Sequence, residues 1–345
     1  MKHHVVSQQN QIRSAVLMTV LIVVTIAVIL KDYSIGELIQ AVKSIHPLYL
    51  CAGFSLMFFF AGCQGMNFYL IMRRLGHASP YTNCIEYAYI GNYFGAISPG
   101  ASAGQPAQVY YMSKDKVHID LSTITIFLMV FISQIVIILM GGGIALLRYS
   151  ILMKAASWFI YMLSAGTLVM LGLTLILSAL MFSAKAFPFI ANSILKLGNK
   201  VHLVKNGIIW KARLDVLLIS YQSKAKFILK HPVLLLQVFL VTGLQWIAYC
   251  LVPYMVYLGF GYGQYDALDL MAGQAFINIS VAAVPLPGSV GVAEKSFLNI
   301  YGLYYSQQDL PTAMILSRLI NFYLPLLISF MVYLLAHNRI RKRNS

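Results

Sequence analysis

Six stretches of this chain run for 17 residues or more with almost no charge: 14–30, 48–72, 119–147, 155–182, 233–258 and 312–336. A helix needs about 20 apolar residues to cross the roughly 30 Å hydrocarbon core of a bilayer. None of these stretches alternates as a half-buried strand would, and a backbone in lipid must satisfy its own hydrogen bonds. Each is therefore read as a spanning helix. Only Asp120 and Arg318 place a charge inside them. Charged residues are 10% of the chain and mean hydropathy is +0.76, against about 25% charged in soluble domains. That excludes an ordinary cytoplasmic enzyme, a disordered chain and a nucleic-acid-binding domain, so no nucleic-acid partner is expected.

The net charge of +15 is carried mostly by short stretches between the apolar runs, where it orients a membrane protein with its basic loops inside. Segment 185–232 has nine Lys and Arg against the single acid Asp215. Trp210, Leu214, Leu217, Leu218 and Tyr221 recur there at helical spacing, as in a basic amphipathic helix on the anionic inner leaflet. Residues 32–46 suggest another interfacial helix, with Ser34 as N-cap. Cys51, Cys63, Cys84 and Cys250 form no CxxC, and neither HExxH nor GxxxxGK[ST] occurs. No metal, cofactor or catalytic residue is expected.

Two apolar segments are broken near their middles. Residues 83–112 are interrupted at 98–106 (SPGASAGQP) and residues 270–305 at 285–294 (PLPGSVGVAE). With 30 and 36 residues they fall short of two full spans each, which need about 40 plus a turn. Each is expected to be a re-entrant pair of half-helices, or else two short tilted spans. Counting sides from Lys2 and Arg13 puts both termini and the basic loop in the cytoplasm. The first broken segment then enters from inside and the second from outside.

The unit span, broken segment, span thus occurs twice in opposite orientation, as repeat one (48–147) and repeat two (233–336), on either side of the basic loop 185–232. The expected fold is a single all-α polytopic membrane domain over 1–345. It has six spanning helices plus two re-entrant segments, or about eight short spans, in an inverted repeat. Such repeats with Gly/Pro breaks at matching positions point to a transport site near the midplane. Candidate lipid-binding residues are Pro99, Gly100, Ser102, Gly104, Gln105, Pro287, Gly288, Ser289, Gly291, Glu294, Arg318 and Asn321. The glycines let backbone approach a headgroup, and half-helix N-termini favour anions. Arg318 is expected either to pair with Glu294 or to clamp a lipid phosphate. Gln64, Asn67, Gln134 and Gln245 are expected to bond between helices.

The strings SPGASAGQPAQVYYMSK (98–114) and PLPGSVGVAEKSF (285–297) resemble the two signature breaks of the lysylphosphatidylglycerol synthase transmembrane-region family. This is the flippase-like membrane part of the bacterial multiple peptide resistance factor, and the resemblance covers about residues 10–337. Where the family often carries Gly-Gly-Glu-Pro, this chain has Ala103-Gly104-Gln105-Pro106.

The resemblance implies a bacterial plasma-membrane translocase for an anionic, aminoacylated or prenyl-linked lipid, linked to lysylphosphatidylglycerol and resistance to cationic antimicrobial peptides. Full-length members add a soluble domain that transfers lysine from lysyl-tRNA to phosphatidylglycerol. The longest polar stretch here has 48 residues, short of the 100–200 residues or so of such a domain. A phosphatidylglycerol lysyltransferase component that needs a separate soluble transferase as partner is the alternative. A small-solute secondary transporter is the third reading.

Overall fold

The computed structural model describes Lys43, residues 45–182 and residues 223–344. The expected first span 14–30, nearly all of the interfacial segment 32–46 and most of the basic loop lie outside the described residues. The described chain is helical, without strands. Five of its helices are long and apolar enough to cross a membrane. They are α1 (Pro47–Arg74), α4 (Ile119–Leu147), α6 (Ser157–Phe182), α7 (Pro232–Gly259) and a last helix built from α10 (Leu310–Arg318) and α11 (Leu324–Asn344). The short helix α5 (Tyr149–Lys154) joins α4 to α6.

Four of the expected spans keep their boundaries to within two residues, whereas the last helix runs eight residues past its expected end at 336, through Arg339, Arg341, Lys342 and Arg343 to Asn344. Pro47 and Pro232 sit in the first turn, where a missing N–H costs nothing. Arg73 and Arg74 close α1. The outer faces keep their apolar side chains exposed, as on α6, where Leu168 and Leu175 are each 70% accessible; such a face requires lipid as its solvent.

Each broken segment is a pair of half-helices around a one-turn 3₁₀ helix. The first is α2 (Tyr81–Ile97), the turn Pro99–Ala101 and α3 (Gly104–Lys114). The second is α8 (Ala267–Val281), the turn Pro287–Ser289 and α9 (Val292–Tyr301). Both are hairpins whose ends return to one level. In the first, Arg339 bridges Glu86 near the start of α2 and Asp115 just after α3, each at 2.9 Å. In the second, the Tyr301 hydroxyl at the end of α9 donates to the Leu270 carbonyl in the first turn of α8 at 2.7 Å.

The two hairpins enter from opposite ends of the bundle. The last helix brings Arg339 and Arg343 to Asp115, and Asp120 at the start of α4 pairs with Lys224 just before α7. The far end of α4 carries Arg148, which meets Asp266 and Asp269 at the start of α8, at 2.5 and 2.8 Å. At that same end His46, which caps α1, donates its N–H to the Gly259 carbonyl closing α7. Among the described residues, the end holding α2 and α3 collects Arg73, Arg74, Lys114, Lys116, Lys224, Arg339 and Arg343 beside Glu86, Asp115 and Asp120, while the end holding α8 collects Asp266, Asp269 and Asp309 with Arg148 and Lys154.

Candidate functional site

The two 3₁₀ turns, 188 positions apart, pack against each other. They share one backbone shape. Gly100 and Ala101 have φ of 58° and 56°; Gly288 and Ser289 have 59° and 50°. Two successive left-handed residues reverse the chain within one turn. An L side chain pays about 1–2 kcal/mol for that conformation, so Ala101 and Ser289 hold strain that the meeting of the tips must offset.

The two glycines differ in their surroundings. A Cβ at Gly100 would meet open space, whereas one at Gly288 would lie 2.3 Å from Cζ of Phe322. Gly100→Ala is therefore expected to cost about 1–2 kcal/mol of backbone strain alone. Gly288→Ala should cost at least twice that, because Phe322 must also move. Thermal unfolding of the two purified variants compares them directly, and equal losses would contradict the assignment.

Beside the tips lies a cavity of about 530 Å³. Its wall includes Ser133 and Gln134 of α4 and Thr242, Gln245 and Trp246 of α7, all close to the midpoints of those spans. The tips thus stop level with the middles of α4 and α7, the geometry of re-entrant hairpins. Gly100, Gly104 and Gln105 line the cavity from the first break, and Gly288 and Ser289 from the second. Seven carboxamides face it in all: Gln64, Asn67, Asn92, Gln105, Gln108, Gln134 and Gln245. No described wall residue is charged.

Several of these amides also bond between elements. Asn67 Nδ2 donates to Thr242 Oγ1 at 3.0 Å, Asn92 Nδ2 to Gln64 Oε1 at 2.9 Å, and Gln108 Nε2 to the Tyr87 carbonyl at 3.1 Å. The Trp246 indole N–H donates to Ser133 at 2.8 Å. Asn67 Oδ1 and Gln134 Oε1 are buried and find no donor within the described protein. The hairpin α2–α3 closes tightly beneath them, since a Cβ at Gly104 would lie 2.8 Å from the Gly91 carbonyl oxygen.

Pro99, Ser102, Pro287, Gly291, Glu294 and Arg318 do not line the cavity. Ser98 and Ser102 instead build the first turn: Ser98 Oγ accepts from the Ala103 N–H at 3.0 Å, and the Ser102 N–H donates to the Pro99 carbonyl at 3.3 Å. Glu294 and Arg318 lie behind the second break. Glu294 Oε2 accepts the Gly291 N–H at 2.6 Å, capping α9 from its own first turn. Its Oε1 accepts from Arg318 Nε at 2.7 Å, while Arg318 Nη2 donates to the Gly288 carbonyl at 3.0 Å. The guanidinium also stacks 4.7 Å from the Phe322 ring. Of the two sequence expectations for Arg318, the structure shows the ion pair with Glu294.

A second, mainly apolar cavity of about 190 Å³ lies between α1, α2, α7 and the last helix, and shares Asn92 and Ala96 with the first. Asn321 lines it from a π-helical turn, Leu319–Tyr323, that links α10 to α11. Pro325 lies just beyond; it has no N–H to give the Asn321 carbonyl, and the local chain widens instead, the Leu324 N–H reaching back to Leu319. Asn321 Oδ1 and Ser329 Oγ are buried there without a partner. Asn92, Ser133, Thr242 and Trp246 are wall residues that sequence reasoning passed over. A lone polar residue in an apolar run signals an inward face, but not what it faces.

Comparison with known proteins agrees with this architecture. A UPF0104 membrane protein of Archaeoglobus fulgidus is 24% identical over 307 residues, an alignment spanning 88% of this chain and 92% of that protein. The family described as the lysylphosphatidylglycerol synthase TM region matches residues 12–329, which takes in both hairpins and all five described spans except the end of the last. This multi-pass helical membrane protein therefore belongs to the lysylphosphatidylglycerol synthase TM region family.

Proposed function

We propose that the chain is a lipid translocase. The observation that carries this reading is the pairing of two cavities at mid-depth: a polar one at the meeting point of the hairpins, and a mainly apolar one sharing a wall with it. A small solute needs only the first, and an amphiphile needs both. Irregular backbone at this depth is tolerated where it borders a water-filled cavity, and two hairpins entering from opposite ends allow each to gate one leaflet. Spans 48–147 and 233–336 are then the two halves of an inverted repeat. The base-rich end faces the cytoplasm by the positive-inside rule, and the basic loop rests on anionic inner-leaflet lipid. On this reading the protein works in a bacterial plasma membrane, where moving such a lipid would bear on resistance to cationic peptides.

The family's description favours a second reading, a membrane component of lysylphosphatidylglycerol synthesis that works with a soluble transferase. Tethering the tips separates the two. Ala101→Cys and Ser289→Cys, in a protein freed of its native cysteines, place a thiol on each turn. A short thiol crosslinker should arrest transbilayer movement of tail-labelled lipid in reconstituted vesicles. Unchanged movement after complete crosslinking would rule out gating by the hairpins.

A further inference from the structure

Resting on the translocase reading, we infer that the headgroup admitted to the central cavity is electrically neutral and rich in hydroxyls, as in a glycosyl or other polyol lipid, and is not an anionic phosphate or an aminoacyl cation. Two observations carry this.

The first is charge. No described side chain on the wall is ionisable as an acid or a base, and the N-terminus of α3, whose Gly104 and Gln105 lie on the wall, offers only about half a positive charge, too little to balance an ion at mid-membrane. Arg318, a described cation behind the wall, meets it through the Gly288 carbonyl and is already balanced by Glu294.

The second is hydrogen-bond character. A carboxamide both donates and accepts, as a hydroxyl does. Seven of them facing one space complement a ring of hydroxyls, each of which can take a proton donor on one side and give its own proton on the other.

The test uses the full-length protein in phosphatidylcholine vesicles with three lipids of identical labelled acyl chains: a monohexosyl diacylglycerol, phosphatidylglycerol and lysylphosphatidylglycerol. Crossing is followed with a membrane-impermeant quencher, and binding by native mass spectrometry with the three at equal concentration. The hexosyl lipid is expected to cross at least tenfold faster than either charged lipid and to dominate the bound population. Faster crossing and tighter retention of either charged lipid would overturn the neutral-headgroup inference while leaving translocation standing. Selective retention of the hexosyl lipid with no crossing above protein-free vesicles would do the reverse. No retention and no crossing would remove both.

Gln134→Leu removes one amide from the wall and should slow the hexosyl lipid about tenfold, with thermal unfolding showing that the protein keeps its fold. Gln134→Lys should move the preference towards phosphatidylglycerol. A preference unmoved by the lysine would show that this cavity does not select the headgroup.

Discussion

Glu294→Gln is expected to destabilise the protein by about 3–5 kcal/mol, the usual cost of leaving one member of a buried ion pair alone. The side chains of Glu294 and Arg318 are 8% and 13% exposed, and their contacts hold the second break together. Glu294 ties the Gly291 N–H to Arg318, and Arg318 ties Glu294 to the Gly288 carbonyl. A glutamine in place of Glu294 would keep a cap for Gly291 but would leave the guanidinium without a counter-charge. Arg318→Gln should cost a similar amount for the opposite reason, a carboxylate stranded in a low-dielectric site. The double change removes both charges, so its loss should fall well short of the sum of the singles. Thermal unfolding of the three purified variants measures this. Additive losses would mean that the two side chains are independent, and a stable Arg318→Gln protein would mean that the guanidinium is not the partner the geometry indicates.

The second large effect is expected at Gly166, where α6 crosses the end of α8. A Cβ there would lie 1.8 Å from the Ile279 carbonyl oxygen and 3.2 Å from Ser280 Cα. Those are backbone atoms, which cannot swing aside, so Gly166→Ala must push the two helices apart. Close helix contact through small residues is a principal source of stability in lipid, where no hydrophobic force drives helices together. A loss of about 2–3 kcal/mol is expected, near the top of the range for overpacking. The displaced segment leads into Val281 and Ala282 on the cavity wall, so lipid movement should fall with stability. Gly172→Ala, on the same helix with nothing within 4 Å, is the control. It should be neutral or stabilise by up to about 1 kcal/mol, through helix propensity alone. Equal behaviour of the two variants would mean that α6 does not seat on α8 at Gly166.

Much of this architecture was legible along the chain because its causes are local. An apolar run ended by Arg73 and Arg74 is a helix of that length whatever surrounds it, and Pro99-Gly100 and Pro287-Gly288 break helices wherever they stand. The opposite entry of the hairpins followed from the distribution of bases. The site was legible only in part. Gly100, Gly104, Gln105, Gly288 and Ser289 were candidates from the breaks themselves, and all face the cavity. Glu294 and Arg318 drew notice as charges at membrane depth, yet sequence spacing could not say whether each met the other or a ligand. Asn321 drew notice in the same helix and faces the smaller cavity.

Periodicity and charge, acting over a few residues, thus determined the helices, their breaks, their order and the ends at which they begin. Only the tertiary structure decided that the two breaks meet at mid-depth, that seven amides from five helices face one space, and that the buried arginine is neutralised behind that space rather than within it. Those are contacts between segments up to about two hundred residues apart, set by how closely glycine faces such as Gly104 and Gly166 let helices approach. A rotation of one helix by a single position would bring different side chains to the cavity while leaving every local signal in the sequence unchanged.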